Sequence, residues 1–131
     1  MRKRLRRPRI GRTTLSLAGA ALLAVPATAS ANVYTDIPDF NISETPVTYS
    51  SYLATSSSGV QYRWVDSPWK GNAVQTASCY SNSQYGAAYY PPGTTIYQGI
   101  GTVPNGACFN LRGWTATGQG SMSFYDGRLF R

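Results

Sequence analysis

The chain has no histidine, only five acidic residues and only two cysteines. Without histidine there can be no Ser-His or Cys-His dyad and no imidazole ligand for a metal. Helical spacing is missing as well: no window of useful length repeats apolar residues at the 3.6-residue period, which excludes an architecture built on amphipathic helices. Basic residues are scarce where they would matter. The formal net charge is +7, yet Arg2, Lys3, Arg4, Arg6, Arg7, Arg9 and Arg12 all precede residue 13. Beyond residue 31, Arg63, Lys70, Arg112, Arg128 and Arg131 are balanced by Asp36, Asp39, Glu44, Asp66 and Asp126. A nucleic-acid partner, which needs a basic face, is therefore not expected.

The basic start reads as an export signal over residues 1–31. Its charged region is followed by the apolar run Leu15 to Val25 and by Ala29-Ser30-Ala31, a small-x-small cleavage site. That run is shorter than the roughly 20 residues a membrane span requires, so no membrane attachment is expected once the signal is removed. Arg6-Arg7 is poorly continued by Pro8-Arg9-Ile10 for a twin-arginine signal, which favours ordinary secretion of a bacterial, extracellular protein. Export to an oxidising space makes a disulfide between Cys79 and Cys108 the natural reading of an even cysteine count. Such a bridge closes a loop of about 29 residues and contributes about 3 to 4 kcal/mol by chain entropy.

What the chain does contain is aromatic and strand-like. All of its three Trp, ten Tyr and four Phe lie after residue 31. Alternation of period 2 runs through Val47 to Leu53 and Val60 to Val65, read as a hairpin across Ser56-Ser57-Ser58-Gly59. Further strands are expected at Ala73 to Tyr80, Ala87 to Tyr90, Thr94 to Gln98 and Cys108 to Arg112. The segments Met122 to Tyr125 and Arg128 to Phe130 read as a closing hairpin over Asp126-Gly127. Pro91-Pro92-Gly93 and Pro104-Asn105-Gly106 are turns. Gly113 to Gly120 reads as a loop around Trp114, and residues 32–46, with Pro38 and Pro46, as an extended, weakly folded segment. The expected fold is thus all-β: one small disulfide-stapled sandwich or Greek-key barrel of seven or eight short strands, over residues 47–131.

Tyr80, Gly86 and Tyr89-Tyr90, then Cys108-Phe109-Asn110-Leu111 and Ser121-Met122-Ser123-Phe124, resemble the βγ-crystallin Greek-key pattern over the C-terminal half. The resemblance implies a small secreted bacterial protein of the metallopeptidase-inhibitor kind. Calcium in that family is held by acidic residues before the Ser-x-Ser, where this chain has Gly118, Gln119 and Gly120. No metal or other cofactor is expected.

Covalent chemistry has few candidates. Ser67-Pro68-Trp69-Lys70 spells S-x-x-K, but that chemistry needs a helical turn inside a far larger fold. Asp66 and Asp126 are the only candidates for a carboxylate-dependent hydrolase, and both stand in turn contexts that favour Asp for its local hydrogen bonds. Asn41-Ile42-Ser43 matches a glycosylation acceptor by chance, and Asp36, Asp39 and Glu44 read as a solvated acidic cluster. The candidate binding surface consists of Tyr89, Tyr90, Trp69 and Trp114, since exposed Tyr and Trp stack on sugars or anchor protein interfaces. The expected function is non-enzymatic binding of an extracellular protein, inhibitor-like and centred on a presented Tyr89-to-Gly93 loop. A carbohydrate or cell-wall binding module using Trp69 and Trp114 is the alternative, and a secreted antibacterial toxin or small hydrolase a further one. If the leader reading is right, the intact mass of the secreted product will correspond to a chain beginning at Asn32; a product retaining Arg2 to Arg12 would overturn it.

Overall fold

The computed structural model describes residues 32–131, so the expected leader lies outside the described residues. Eight strands and no helix are found among them: β1 (Tyr34–Ile37), β2 (Val47–Leu53), β3 (Val60–Trp64), β4 (Asn72–Ser78), β5 (Gln84–Tyr90), β6 (Gln98–Gly101), β7 (Cys108–Thr115) and β8 (Gly127–Phe130). They form two antiparallel four-stranded sheets, ordered β1-β8-β3-β6 and β2-β7-β4-β5. This is the all-β sandwich that the alternating pattern implied.

Alternation decides what each strand buries. In β3, Val60, Tyr62 and Trp64 point inward; in β7, Phe109, Leu111, Gly113 and Thr115 do. The centre of the core is aromatic. Trp64 stands edge-on to Tyr62 at 5.2 Å, Tyr62 edge-on to Tyr90 at 6.1 Å, and Phe40 lies 5.8 Å from Trp64. Such tilted pairs bring the positive ring edge against the negative face and add to the gain from area burial alone. Two of these residues carry polar ends that must be satisfied inside. Trp64 Nε1 donates to Asn72 Oδ1 at 2.7 Å, and the Tyr90 hydroxyl donates to the Tyr62 carbonyl at 2.6 Å. The Tyr62 hydroxyl is buried without a partner. It occupies the space where a Cβ on residue 127 would stand, so Gly127 is the residue that fits there.

The sandwich is sealed where β5 meets β6. A Cβ on Gly86 would lie 2.6 Å from the Gly101 Cα, so the two backbones approach as closely as glycine allows. Thr76 Oγ1 donates to the Ile100 carbonyl at 2.7 Å across the same seam.

Several sequence expectations are corrected by this arrangement. The runs 47–53 and 60–65 are not a hairpin: β2 pairs with β7, while β3 pairs with β8 and β6. The serine-rich link between them crosses from one sheet to the other. It is tied down at Ala54, whose N–H donates to Ala107 O and whose carbonyl accepts from Gly106 N. β2 also changes phase at a register shift between Thr48 and Ser50, so Tyr52 packs against the core and Leu53 faces out. Residues 94–97 are loop, and the strand begins at Gln98. β7 runs on through Trp114, which is therefore a strand residue rather than a loop residue. No hairpin forms across Asp126-Gly127: Gly127 opens β8, which pairs with β1 and β3, and Met122 bridges to Ile42. Residues 32–46 are part of the domain, because β1 adds an edge to the first sheet and Ile37, Phe40 and Ile42 enter the core. Phe40 and Ile42 cover Gly113, whose missing side chain leaves them room.

Cys79 and Cys108 are bonded, with Cα atoms 5.5 Å apart at a sequence separation of 29. The geometry follows from the ladder, since Ser78 and Phe109 are register partners and the cysteines flank them. Replacing both cysteines by Ser should cost about 2 to 5 kcal/mol in denaturant unfolding; an unchanged midpoint would show the staple to be redundant. The buried phenols offer a second test. Tyr90→Phe should lose about 1 kcal/mol because it removes a buried hydrogen bond, whereas Tyr62→Phe should be neutral or stabilising because it removes an unpartnered hydroxyl. Burial holds both phenols above the ordinary tyrosine value of 10.0. A folded-state value above the unfolded one gives stability that is full below pH 10 and falls as pH rises beyond it. Alkaline melting curves of the wild type and the two Phe variants read both effects.

Candidate binding faces

The outer face of the second sheet is built by the residues that alternate with its core. Tyr89 of β5 is the register partner of Ala73 in β4, and Ala73 is in turn the partner of Trp114 in β7. Two aromatic side chains thus stand on one face, two strand spacings or about 10 Å apart, with a methyl group as the floor between them. The Tyr89 ring leans toward the start of β4, where it covers Gly71, and the residue remains 55% exposed. The next row along the strands is polar: Gln75 pairs with Arg112 on one side and Ala87 on the other. Arg112 is fixed in place by Thr48 Oγ1, at 3.2 Å from its Nε, and by Asn82 Oδ1, at 2.8 Å from its Nη2. Beyond it, Ser51 Oγ donates to Asn110 Oδ1 at 2.6 Å. The four strands of this sheet contain no Asp or Glu.

The four aromatic candidates therefore separate. Tyr89 and Trp114 share a face. Tyr90 is fully buried and belongs to the core, which corrects the reading of Tyr89-Tyr90 as a presented pair. Adjacent residues of one strand point to opposite sides, so β5 could expose only one of them. Trp69, 67% exposed, lies in the loop entering β4, with the Lys70 ammonium 4.3 Å from its ring centroid. Lys70 Nζ also donates to Ser121 O at 2.7 Å. Ser67 and Lys70 are in a loop, not on a helical turn, so the S-x-x-K resemblance has no helix to act through.

Asp126 and Glu44 serve loop ties. Asp126 Oδ1 accepts the Asp39 N–H at 3.1 Å, and the Asp126 carbonyl accepts the Val65 N–H at 2.8 Å. Asp126, without Asp66, lines a shallow groove of about 240 Å3 shared with Asp36, Ile37, Pro38, Val65, Gly127 and Arg128. Glu44 accepts the Gly120 N–H at 2.8 Å, and the backbone N–H groups of Gly120 and Gly118 hold its carboxyl below the usual range. Asp36 pairs with Arg128 at 2.8 Å. Among the described residues, no three His, Cys, Asp or Glu side chains gather where a metal could sit. Asn41 is committed to its own loop: its Nδ2 donates to Asp39 O and its Oδ1 accepts from Phe124 N.

Sequence reasoning overlooked a second aromatic surface, the outer face of the first sheet. One row across it holds Tyr34, Phe130 and Gln61; the next holds Asp36, Arg128 and Arg63. Tyr34 lies 4.9 Å from Phe130 and 6.1 Å from Tyr97. The alternation of Gln61 with Arg63 and of Arg128 with Phe130 could have placed each pair outside its own strand, but not beside the other. The fold and its faces define a small all-β, disulfide-stapled domain that exposes aromatic residues on its sheets, at Tyr34 and Tyr89, and in its loops, at Trp69, Tyr80 and Phe124. No family model, curated protein or solved structure matches this chain.

Proposed function

We propose that this protein is a small exported, non-enzymatic binding module that holds a neutral glycan on the outer face of its second sheet. The observation that carries the reading is the placement of Tyr89 and Trp114 on either side of Ala73. Flat aromatic faces match the C–H faces of pyranose rings, and the planar amide and guanidinium groups of Gln75 and Arg112 match sugar hydroxyls. The lack of any carboxylate in these four strands fits holding a sugar rather than cleaving it, since glycoside hydrolysis uses paired carboxylates. The disulfide and the leader-like start are compatible with an extracellular site of action.

A protein-binding, inhibitor-like role, of the kind the βγ-crystallin resemblance implies, has one observation in its favour. Pro91, Pro92 and Gly93 are exposed in a loop held by the Gly93 N–H bond to Pro68 O at 2.6 Å. A prolyl loop fixed this way loses little entropy on docking. With Tyr90 in the core, such a loop would present Tyr89 alone.

Binding to insoluble glycans, measured beside a pull-down from culture supernatant, separates the two readings. Under the glycan reading, Tyr89→Ala with Trp114→Ala should abolish glycan retention. Exposed Tyr89 should cost only about 0.5 kcal/mol, while half-buried Trp114 gives up packing as well, so retention is compared on protein shown to be folded. Retention that survives the double change would remove the glycan reading. Capture of a protein partner that depends on the 91–93 loop would replace it.

A further inference from the structure

Arg63 of β3 and Arg128 of β8 are direct register partners, so two arginine side chains leave the first sheet from neighbouring positions. Like charges in that relation repel and weaken the ladder. One acid is ion-paired here: Asp36, the partner of Arg128 on its far side, binds Arg128 Nε at 2.8 Å. Arg63 has no carboxylate partner among the described residues. Its guanidinium lies 5.4 Å from the centroid of the Tyr97 ring, and its Nε is buried with no hydrogen bond. Tyr97, beside edge strand β6, and Tyr34, on edge strand β1, approach to 6.1 Å, so their rings reach across the face from opposite margins. Tyr34 is 62% exposed.

We propose that this face is a second binding site, which takes the carboxylate of a uronate unit in an acidic glycan. A guanidinium pair with one resident carboxylate has room for a second anion, and carboxylates bind guanidinium in a bidentate, planar fashion. In a uronate the carboxylate is attached to a rigid ring, so ion pairing with Arg63 and Arg128 brings the ring against Tyr34, Tyr97 and Phe130. An acidic peptide carries its carboxylate on a flexible arm, so ion pairing alone would not hold its backbone against these rings. The inference is independent of what the second sheet binds.

Titration calorimetry of the disulfide-bonded protein with oligogalacturonate tests it, with a neutral glucan oligomer, polyglutamate and inorganic phosphate as the other arms. Oligogalacturonate should bind more tightly than polyglutamate or phosphate and weaken as salt is raised. Arg63→Gln should weaken that binding at least about tenfold, the loss of one charged hydrogen-bond partner. The same variant should keep or raise the melting temperature, because it relieves the opposed charges. Arg63→Lys, which keeps the charge but loses the planar fork, should also weaken binding and serves if the Gln variant fails to fold. No binding of oligogalacturonate, equal binding of polyglutamate or phosphate, or unchanged binding by both variants would overturn the proposal. A lower melting temperature with binding intact would assign Arg63 to supporting Tyr97 instead.

Discussion

The two sheets are pinned to one another through the core by hydrogen bonds from aromatic side chains. Trp64 reaches from the first sheet to Asn72 in the second, and Tyr90 reaches back from the second to the Tyr62 carbonyl in the first. Apolar packing alone tolerates small shifts of one layer over another, because it is not directional. A buried donor that must find one acceptor is directional, and a lost bond leaves a desolvated polar group behind. With the Thr76 bond to the Ile100 carbonyl, these bonds fix how the layers superpose. Asn72 in turn donates to Lys70 O, which sets the loop entering β4 and with it the position of Trp69. The outer faces inherit their geometry from this core, since each exposed side chain alternates with a buried one.

That dependence explains what could be read from the sequence. Strand content was legible because period 2 survives in short segments such as Val60 to Trp64, and the cysteine pairing was legible because there was only one pair to make. Sheet membership was not. The serine-rich turn after Leu53 is a good hairpin signal by local chemistry, yet the partner of β2 is β7, more than fifty residues away. A turn motif reports that the chain changes direction, not which strand it meets next. The phase slip in β2 was hidden for a related reason, as a bulge inserts one residue without leaving a mark in the alternation around it. Residues 32–46 were misjudged because two prolines outweighed Ile37, Phe40 and Ile42, whose burial depends on a surface supplied by β7 and β8.

The site was half legible. Tyr89 and Trp114 stood out as aromatic residues in a chain with little else to offer chemically, but only the β4 ladder shows that Ala73 separates them. Tyr90 could have been withdrawn from the surface by applying alternation to its own strand. The Arg63 and Arg128 pair could not have been found, because the two lie 65 positions apart and are joined by register alone. The two faces also differ in character. The second sheet carries no acid and one fixed arginine; the first carries opposed arginines beneath a span of tyrosine rings.

The disulfide encloses three of the exposed stretches that a protease could reach. The exposed stretches at Tyr80 to Gln84, Pro91 to Gly93 and Pro104 to Gly106 all lie between Cys79 and Cys108. A single cut in any of them opens a ring instead of dividing the chain. Both ends of the nick stay tethered, and β4 and β7, on which the bridge is anchored, remain adjacent in the middle of their sheet. A nicked molecule would stay in one covalent piece, heavier only by the water taken up in the cut, until the bridge was reduced. In surroundings rich in secreted proteases, that converts a break in the covalent chain into a wound the fold can survive.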